Sequence, residues 1–447
     1  MSAREIDMLH GTLWNKIIVF AIPLVLTGIF EQLFNAADTL ILGRYDSAAA
    51  MAAVGNNTPL VGLIVYLFLG LSLGANVLIS QALGAGRLRD ASRTVHAAIL
   101  LALFTGLAVA ALGECAAAPV MDWLGVPEEV LPLALTYFRI FLLGMPFLCL
   151  YNFIAAILRS RGDTCTPFRA LFLASLLNIL LDLLFIPILG WGAAGAALAT
   201  DLAFLGCAAH LLRSLLHQAG VLRLEPRLLR VSCRLAILRR ICAIGLPAAA
   251  QGMMFDIANL VLQAAINSLG EKVMAASAAA FTIDILLYYG VFSIDQTCTT
   301  FVGQNYGARD LSRCRRAAAL CLAFAVIIAL LNGIFALLTM HAIFSYFTSD
   351  PEVIRLAETR IEYVVAFSFL CAIGDTLSAA LRGYGNSIGP AVIAFFAICG
   401  SRLAWVFLIF PSYRTFANLL LCYPLSWILA AVLLGIYYRT FMRHLRI

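Results

Sequence analysis

About a dozen apolar stretches, each long enough to cross a bilayer, follow one another along 447 residues with short polar breaks between them. A membrane-spanning helix needs about 20 mostly apolar residues. In hydrocarbon the backbone must satisfy its own hydrogen bonds, so these stretches are helices and not open strands. We read spans at about 17–42, 52–80, 95–118, 130–158, 167–189, 193–215, 240–267, 275–303, 315–340, 353–381, 388–410 and 417–439. A soluble chain of this size carries charge on roughly a quarter of its residues. This one is 12% charged and 63% apolar, and the surface it lacks faces lipid. The first apolar run, from Ile17, is too long and too polar inside for a cleaved leader, and none is expected.

The basic residues fix an orientation. If the N-terminus is cytoplasmic, the inside segments hold Arg4 and Lys16, Arg87, Arg89 and Arg93, Arg159, Arg161 and Arg169, Arg213 through Arg240, Arg309 through Arg316, Arg382, and Arg439, Arg443 and Arg446. The outside loops hold little beyond Arg44, Lys272, Arg355 and Arg414. This is a positive-inside pattern with both termini in the cytoplasm. Because the basic residues alternate between loops, the net charge of +6 does not imply a nucleic-acid partner. The 12 cysteines are scattered through apolar runs without a CxxC pair, as small packing residues would be.

The longest polar connection, about 217–239, divides the chain near its middle, and the two sides match at an offset of 223–224 residues. Pro23-x4-Gly28-x6-Asn35 recurs as Pro247-x4-Gly252-x6-Asn259. Gln81-x-x-Gly84-Ala85 recurs as Gln304-x-x-Gly307-Ala308. Leu158-Arg159-x-x-Gly162 recurs as Leu381-Arg382-x-x-Gly385, and Pro167 then matches Pro390. The predicted fold is all-α and integral to the membrane, with about twelve helices in two parallel six-helix repeats. Its parts are an N-lobe at 1–216, a basic cytoplasmic linker at 217–239 and a C-lobe at 240–447.

A charge at the centre of a spanning helix costs roughly 2.5 kcal/mol or more, so each needs a reason. Glu31, Asn35 and Asp38 lie on one face of the first span. Asn178 and Asp182 are one turn apart in the fifth, and Thr200 and Asp201 follow in the sixth. These oxygens can hold a proton or coordinate a hard monovalent cation such as sodium; the bland alternative is interhelical hydrogen bonding. In the second half, Asp256, Asn259, Gln263 and Asn267 form a stripe on the seventh span. Asp284, Asp295, Glu362, Asp375 and Arg402 lie in later spans. Asp375 and Arg382 share a face and are expected to pair. Glu31 is a candidate partner for Arg139, and Asp295 is expected near a solvated helix end. Met253 and Tyr288, with Phe30, Phe34, Phe147, Tyr151 and Phe292, supply apolar and aromatic surface. With Glu31, Asn35, Asp256 and Asn259 they are the candidate lining of a substrate cavity for amphiphilic cations. Pro23, Pro146, Pro187 and Pro247 are expected inside helices as kinks.

Nearly the whole chain resembles the multidrug and toxic compound extrusion (MATE) family. The resemblance is carried by AIPLVLTGIFEQLFNAADTLILGR, GLSLGANVLISQALGAG, AAILRSRGDTCTP, SLLNILLDLLFIPILGWGAAGAALAT, TTFVGQNYGA and LRGYGNS. It implies two six-helix lobes arranged as a V, and export of organic compounds against protons or sodium ions, with no other cofactor. In the DinF-like type the coupling site is an Asp in helix 1, an Asn in helix 4, an Asn and Asp in helix 5 and a Thr in helix 6. Asp38, Asn152, Asn178, Asp182 and Thr200 stand at those positions. The NorM-like type instead has a Glu in helix 7 and an Asp in helix 10, where this chain has Phe255 beside Asp256, and Cys371 one turn before Asp375. The resemblance therefore implies coupling in the N-lobe, by a monomer in the bacterial cytoplasmic (inner) membrane. Its partners are small molecules and lipid. A lipid-linked oligosaccharide flippase of the same superfamily is the alternative, although carboxylates outnumber mid-helix arginines. A membrane enzyme or receptor is disfavoured, since no loop could hold a catalytic domain and no HExxH or GxSxG pattern occurs.

Overall fold

The computed structural model describes residues 5–217, 220, 222–225, 227–228 and 234–445. Among them all regular structure is helical: α1 Leu13–Tyr45, α2 Ala48–Gly84, α3 Leu88–Trp123, α4 Leu131–Leu143, α5 Met145–Ser160, α6 Cys165–Phe185, α7 Gly192–His217, α8 Leu235–Asn267, α9 Glu271–Gly307, α10 Leu311–Phe347, α11 Pro351–Arg360, α12 Ser368–Gly383, α13 Ile388–Ala394, α14 Ser401–Ala404, α15 Phe416–Leu420 and α16 Cys422–His444. Eleven helical stretches are long and apolar enough to span, and the bent pair α4–α5 makes up to twelve.

The spans outrun their apolar centres. A helix of 37 residues such as α2 is about 55 Å long, against a hydrocarbon core of about 30 Å, and its ends carry polar residues that hydropathy does not see. The repeat persists in these lengths: α1 and α8 have 33 residues each, and α2 and α9 have 37 each. Caps fix where they start. Ser47 Oγ accepts from Ala50 N at 3.1 Å, and Asp310 accepts from Arg313 N at 2.8 Å.

Two features depart from the sequence reading. Pro23 and Pro247 do lie inside helices, but Pro187 sits in the turn after α6, where its missing N–H costs nothing. The predicted single helix 130–158 is broken at Gly144 by 47°. A Cβ at Gly144 would occupy the space taken by the Asp201 carboxylate, so the break admits a side chain from α7.

Contacts group the described residues into two units: those of Met1–Asp7 with Leu26–Ala249, and Met8–Val25 with Ala250–Ile447. The divisions fall inside α1 and α8, just past Pro23 and Pro247. In the first unit α2 and α8 cross at small residues. A Cβ at Gly74 would meet the Ile241 carbonyl, and one at Gly245 would lie 2.7 Å from Leu71 Cα. This is small-residue packing of membrane helices. The connection is also tethered there: Leu222 and Leu224 are buried, and Glu225 N donates to His96 Nε2 at 3.0 Å. In the second unit Phe20 and Phe301 pack edge to face at 5.6 Å. Arg313 donates to the carbonyls of Met8, His10 and Gly11 at 3.2, 3.0 and 3.0 Å.

Candidate functional site

Four of the five candidate coupling residues come together inside the first unit. Asp38 from α1, Asn178 and Asp182 from α6 and Thr200 from α7 are all buried. One helical turn places Asn178 above Asp182 on the same face. The tight turn at residues 186–191, closed by Trp191 N donating to Phe185 O at 2.9 Å, returns α7 antiparallel to α6 and brings Thr200 alongside. Thr200 Oγ1 donates to Asp38 Oδ2 at 3.3 Å. Asn178, with its amide nitrogen turned toward the carboxylates, donates to Asp38 Oδ1 at 2.9 Å and to Asp182 Oδ2 at 3.3 Å. That orientation is assigned from the surrounding acceptors.

The electrostatics of this cluster are unusual for a membrane interior. The two carboxyl groups lie within hydrogen-bonding reach of each other. No ion pair among the described residues involves either one. Asp182 Oδ1 is buried with no donor. Two like charges so placed cannot both ionise cheaply unless a proton or cation stands between them. The donor set is carboxylate, amide and hydroxyl, which suits a proton or a hard monovalent cation. Rings close the wall: Phe34 and Tyr151 each pack on Phe204, at 5.8 and 5.9 Å.

Asn152 is buried, but its amide donates to its own helix at Leu148 O, 2.9 Å away. No hydrogen bond among the described residues joins it to the other four. Two groups that the coupling set omits do stand here. The Tyr137 hydroxyl on α4 lies in the field of Asp38, Asp182 and Asp201, and Asp201 fills the α4–α5 break. A tyrosine in a span that also carries Asn152 was the available signal for Tyr137.

The cavity candidates divide between the units. Glu31 and Asn35 belong to the first. Met253, Asp256, Asn259 and Tyr288 belong to the second, where Tyr288 donates to Asp375 Oδ2 at 3.0 Å and Asn259 Oδ1 accepts from Arg402 at 3.1 Å. Two expected pairings and one expected solvation are corrected. Arg139 pairs with Glu114, at 3.7 Å, because both lie at the rim of the bundle, whereas Glu31 lies in the field of Arg159. Arg382 donates to Gln251 Oε1 at 2.7 Å, and Asp375 is held by Tyr288 and Cys371 instead. Asp295 is not solvated: it is buried in mid-helix and accepts from Thr376 at 2.7 Å.

The described helices form a polytopic membrane bundle with buried carboxylates in both units. A family model described as MatE matches residues 23–184 and 247–408, at the offset of the internal repeat, and the chain belongs to this family of transporters. It is 29% identical over 90% of its length to "Probable multidrug resistance protein NorM" of Thermotoga maritima, covering 86% of that protein. It is 27% identical over 80% of its length to "FAD transporter" of Shewanella oneidensis, covering 80% of it. The fold matches a MATE solved in the straight conformation, with TM-score 0.91, 23% identity and 99% of each chain covered. It also matches a MOP superfamily transporter from Pyrococcus furiosus, with TM-score 0.90, 24% identity and 99% of each chain covered.

Proposed function

We propose that the chain exports organic amphiphilic compounds across the bacterial inner membrane by exchange for protons or sodium ions, with Asp38, Asn178, Asp182 and Thr200 as the coupling site. The observation that carries this reading is the Asp38–Asp182 pair bridged by one amide donor, without a basic partner. Neutralising that pair changes the energy of the lobe, and a ligand with different affinity for two conformations shifts their populations. With its amide nitrogen toward the carboxylates Asn178 suits a protonated pair, and with its oxygen toward them it suits sodium, so either ion is served by one amide rotation. In the second orientation Asp38, Asp182, Asn178 and Thr200 supply four oxygens. A DinF-like placement agrees with coupling in the first half.

The export reading is supported by the multidrug resistance names of several relatives. Those names do not fix the substrate, since another relative is named for a flavin dinucleotide. The flippase alternative finds no support among these relatives. The deciding experiment is dye export from proteoliposomes driven separately by a proton and a sodium gradient. Export under neither gradient overturns the reading, and export under one gradient alone names the coupling ion.

A further inference from the structure

Arg360 and Arg402 are both buried in the second unit, 3% and 0% exposed. No ion pair among the described residues includes either one. Arg402 donates through Nε to Ser426 Oγ and through Nη1 to Asn259 Oδ1, each at 3.1 Å. Arg360 Nη1 donates to Ser277 Oγ at 2.7 Å. All these acceptors are neutral. Each guanidinium keeps one buried nitrogen, Arg402 Nη2 and Arg360 Nε, with no acceptor, and Trp427 Nε1 beside them is a third.

The surrounding rings offset only part of this cost. The Arg402 guanidinium lies 4.4 Å from the Tyr423 ring centroid, 4.9 Å from Phe255 and 5.8 Å from Trp427. Arg360 lies 5.6 Å from the same Tyr423 and 5.5 Å from Phe281. Aromatic faces attract cations but accept no strong hydrogen bond. Asp284 lies in the field of both arginines, and Asp375 in that of Arg402, yet neither pairs with them. A buried guanidinium cannot shed its proton, so the unmet N–H groups call for an acceptor from outside.

The backbone is irregular at both residues. Arg360 immediately precedes the π-helical turn Ile361–Val365, and Arg402 lies between the π-helical turns Phe395–Gly400 and Trp405–Ile409. Such turns are rare and frequently stand at functional sites.

We propose that Arg360 and Arg402 form a subsite for an oxyanion, a carboxylate or phosphate, carried by the transported molecule. The paired guanidinium groups and the Trp427 N–H bind its oxygens, and Tyr423, Phe255 and Phe281 receive its aromatic body. Phe281 is 43% exposed, and Phe255, Asn259 and Asp284 are part-exposed. This inference rests on the exporter reading and extends it, since the substrate then carries a negative charge.

The test uses the full chain in phosphatidylcholine nanodiscs and two probes that differ only in charge, pyrenebutyrate and its amide. Energy transfer from tryptophan to pyrene reports binding. Pyrenebutyrate is expected to bind about tenfold more tightly than the amide. Arg402→Gln and Arg360→Gln should each remove that preference while leaving amide binding unchanged. Arg402→Lys, which keeps the charge, tests the first pair should Arg402→Gln fail to fold, and should retain part of the preference. Competition by inorganic phosphate supports an oxyanion subsite. Equal binding of the two probes overturns the proposal, and competition only by phosphatidylglycerol assigns the arginines to a lipid headgroup instead. Gradient-driven export of a panel of anionic, neutral and cationic amphiphilic dyes is measured alongside. Its persistence with equal probe binding sinks the subsite alone, whereas its absence sinks the exporter reading.

Discussion

Thr200 Oγ1 donates to Asp38 Oδ2 across 3.3 Å, although 162 residues separate them in the chain. The bond joins the first spanning helix to the sixth, and Asn178 completes the bridge to Asp182 from the fifth. Three spans are thus tied together by a few polar atoms in an apolar interior, and single substitutions there have separable outcomes.

Asp38→Asn keeps an oxygen for Thr200 and removes the charge. Gradient-driven export should fall by about tenfold or more, with membrane levels and melting temperature close to wild type. Dye export at matched expression checks this. Wild-type export would release Asp38 from the coupling role.

Asp182→Asn should separate binding from coupling. Substrate affinity is expected to stay within about threefold of wild type, while export loses its dependence on the ion gradient. Neutralising one of two adjacent buried carboxylates also relieves repulsion. The melting temperature in detergent should therefore match or exceed that of the wild type. A fall of several degrees would count against a strained pair.

Thr200→Val removes the hydroxyl and leaves Asp38 Oδ2 without that donor. The expected loss is about 1–3 kcal/mol of stability, read as a lower melting temperature, together with weaker coupling. Thr200→Ser should restore both. Equal behaviour of the valine and serine variants would show that the hydroxyl is idle.

Gly245→Val tests packing away from the site. Its side chain would collide with the α2 backbone at Gly70 and Leu71. Overpacking of this kind costs typically 1–3 kcal/mol, so thermal stability should drop, with coupling unchanged in whatever protein folds. A stable variant would mean that α2 and α8 can separate freely.

Orientation is checked by labelling. In a background with Cys115 and Cys233 replaced by serine, an impermeant maleimide added outside intact cells should modify Arg44→Cys and spare Gly220→Cys. The opposite pattern would reverse the inside-positive assignment.

The spans, the repeat and the Asn178–Asp182 turn could be read from the residues, because hydropathy and helical spacing are local properties. The partners of charged groups could not. Helical spacing placed Asp375 and Arg382 on one face, but Gln251 from another helix reaches the guanidinium first. Asp295 sits in a run of polar residues that looks solvated, and only packing against α12 supplies Thr376. Pro146 signalled a kink in 130–158 and stands at the start of the helix after the break, but nothing along that span announces that Asp201 will fill it. Such contacts are made by residues far apart in sequence, and a pattern read along one strand of text does not contain them.

The division inside α1 bears on how the chain is made. Residues 8–25 take their neighbours from the second unit: Phe20 packs on Phe301, and Arg313 holds three carbonyls near the start. The ribosome delivers these early residues first and their partners nearly 300 residues later. At typical synthesis rates of about 5–20 residues per second, the beginning of the first helix waits tens of seconds in the lipid for its own unit. A chain stopped before residue 301 leaves that end without its ring partner.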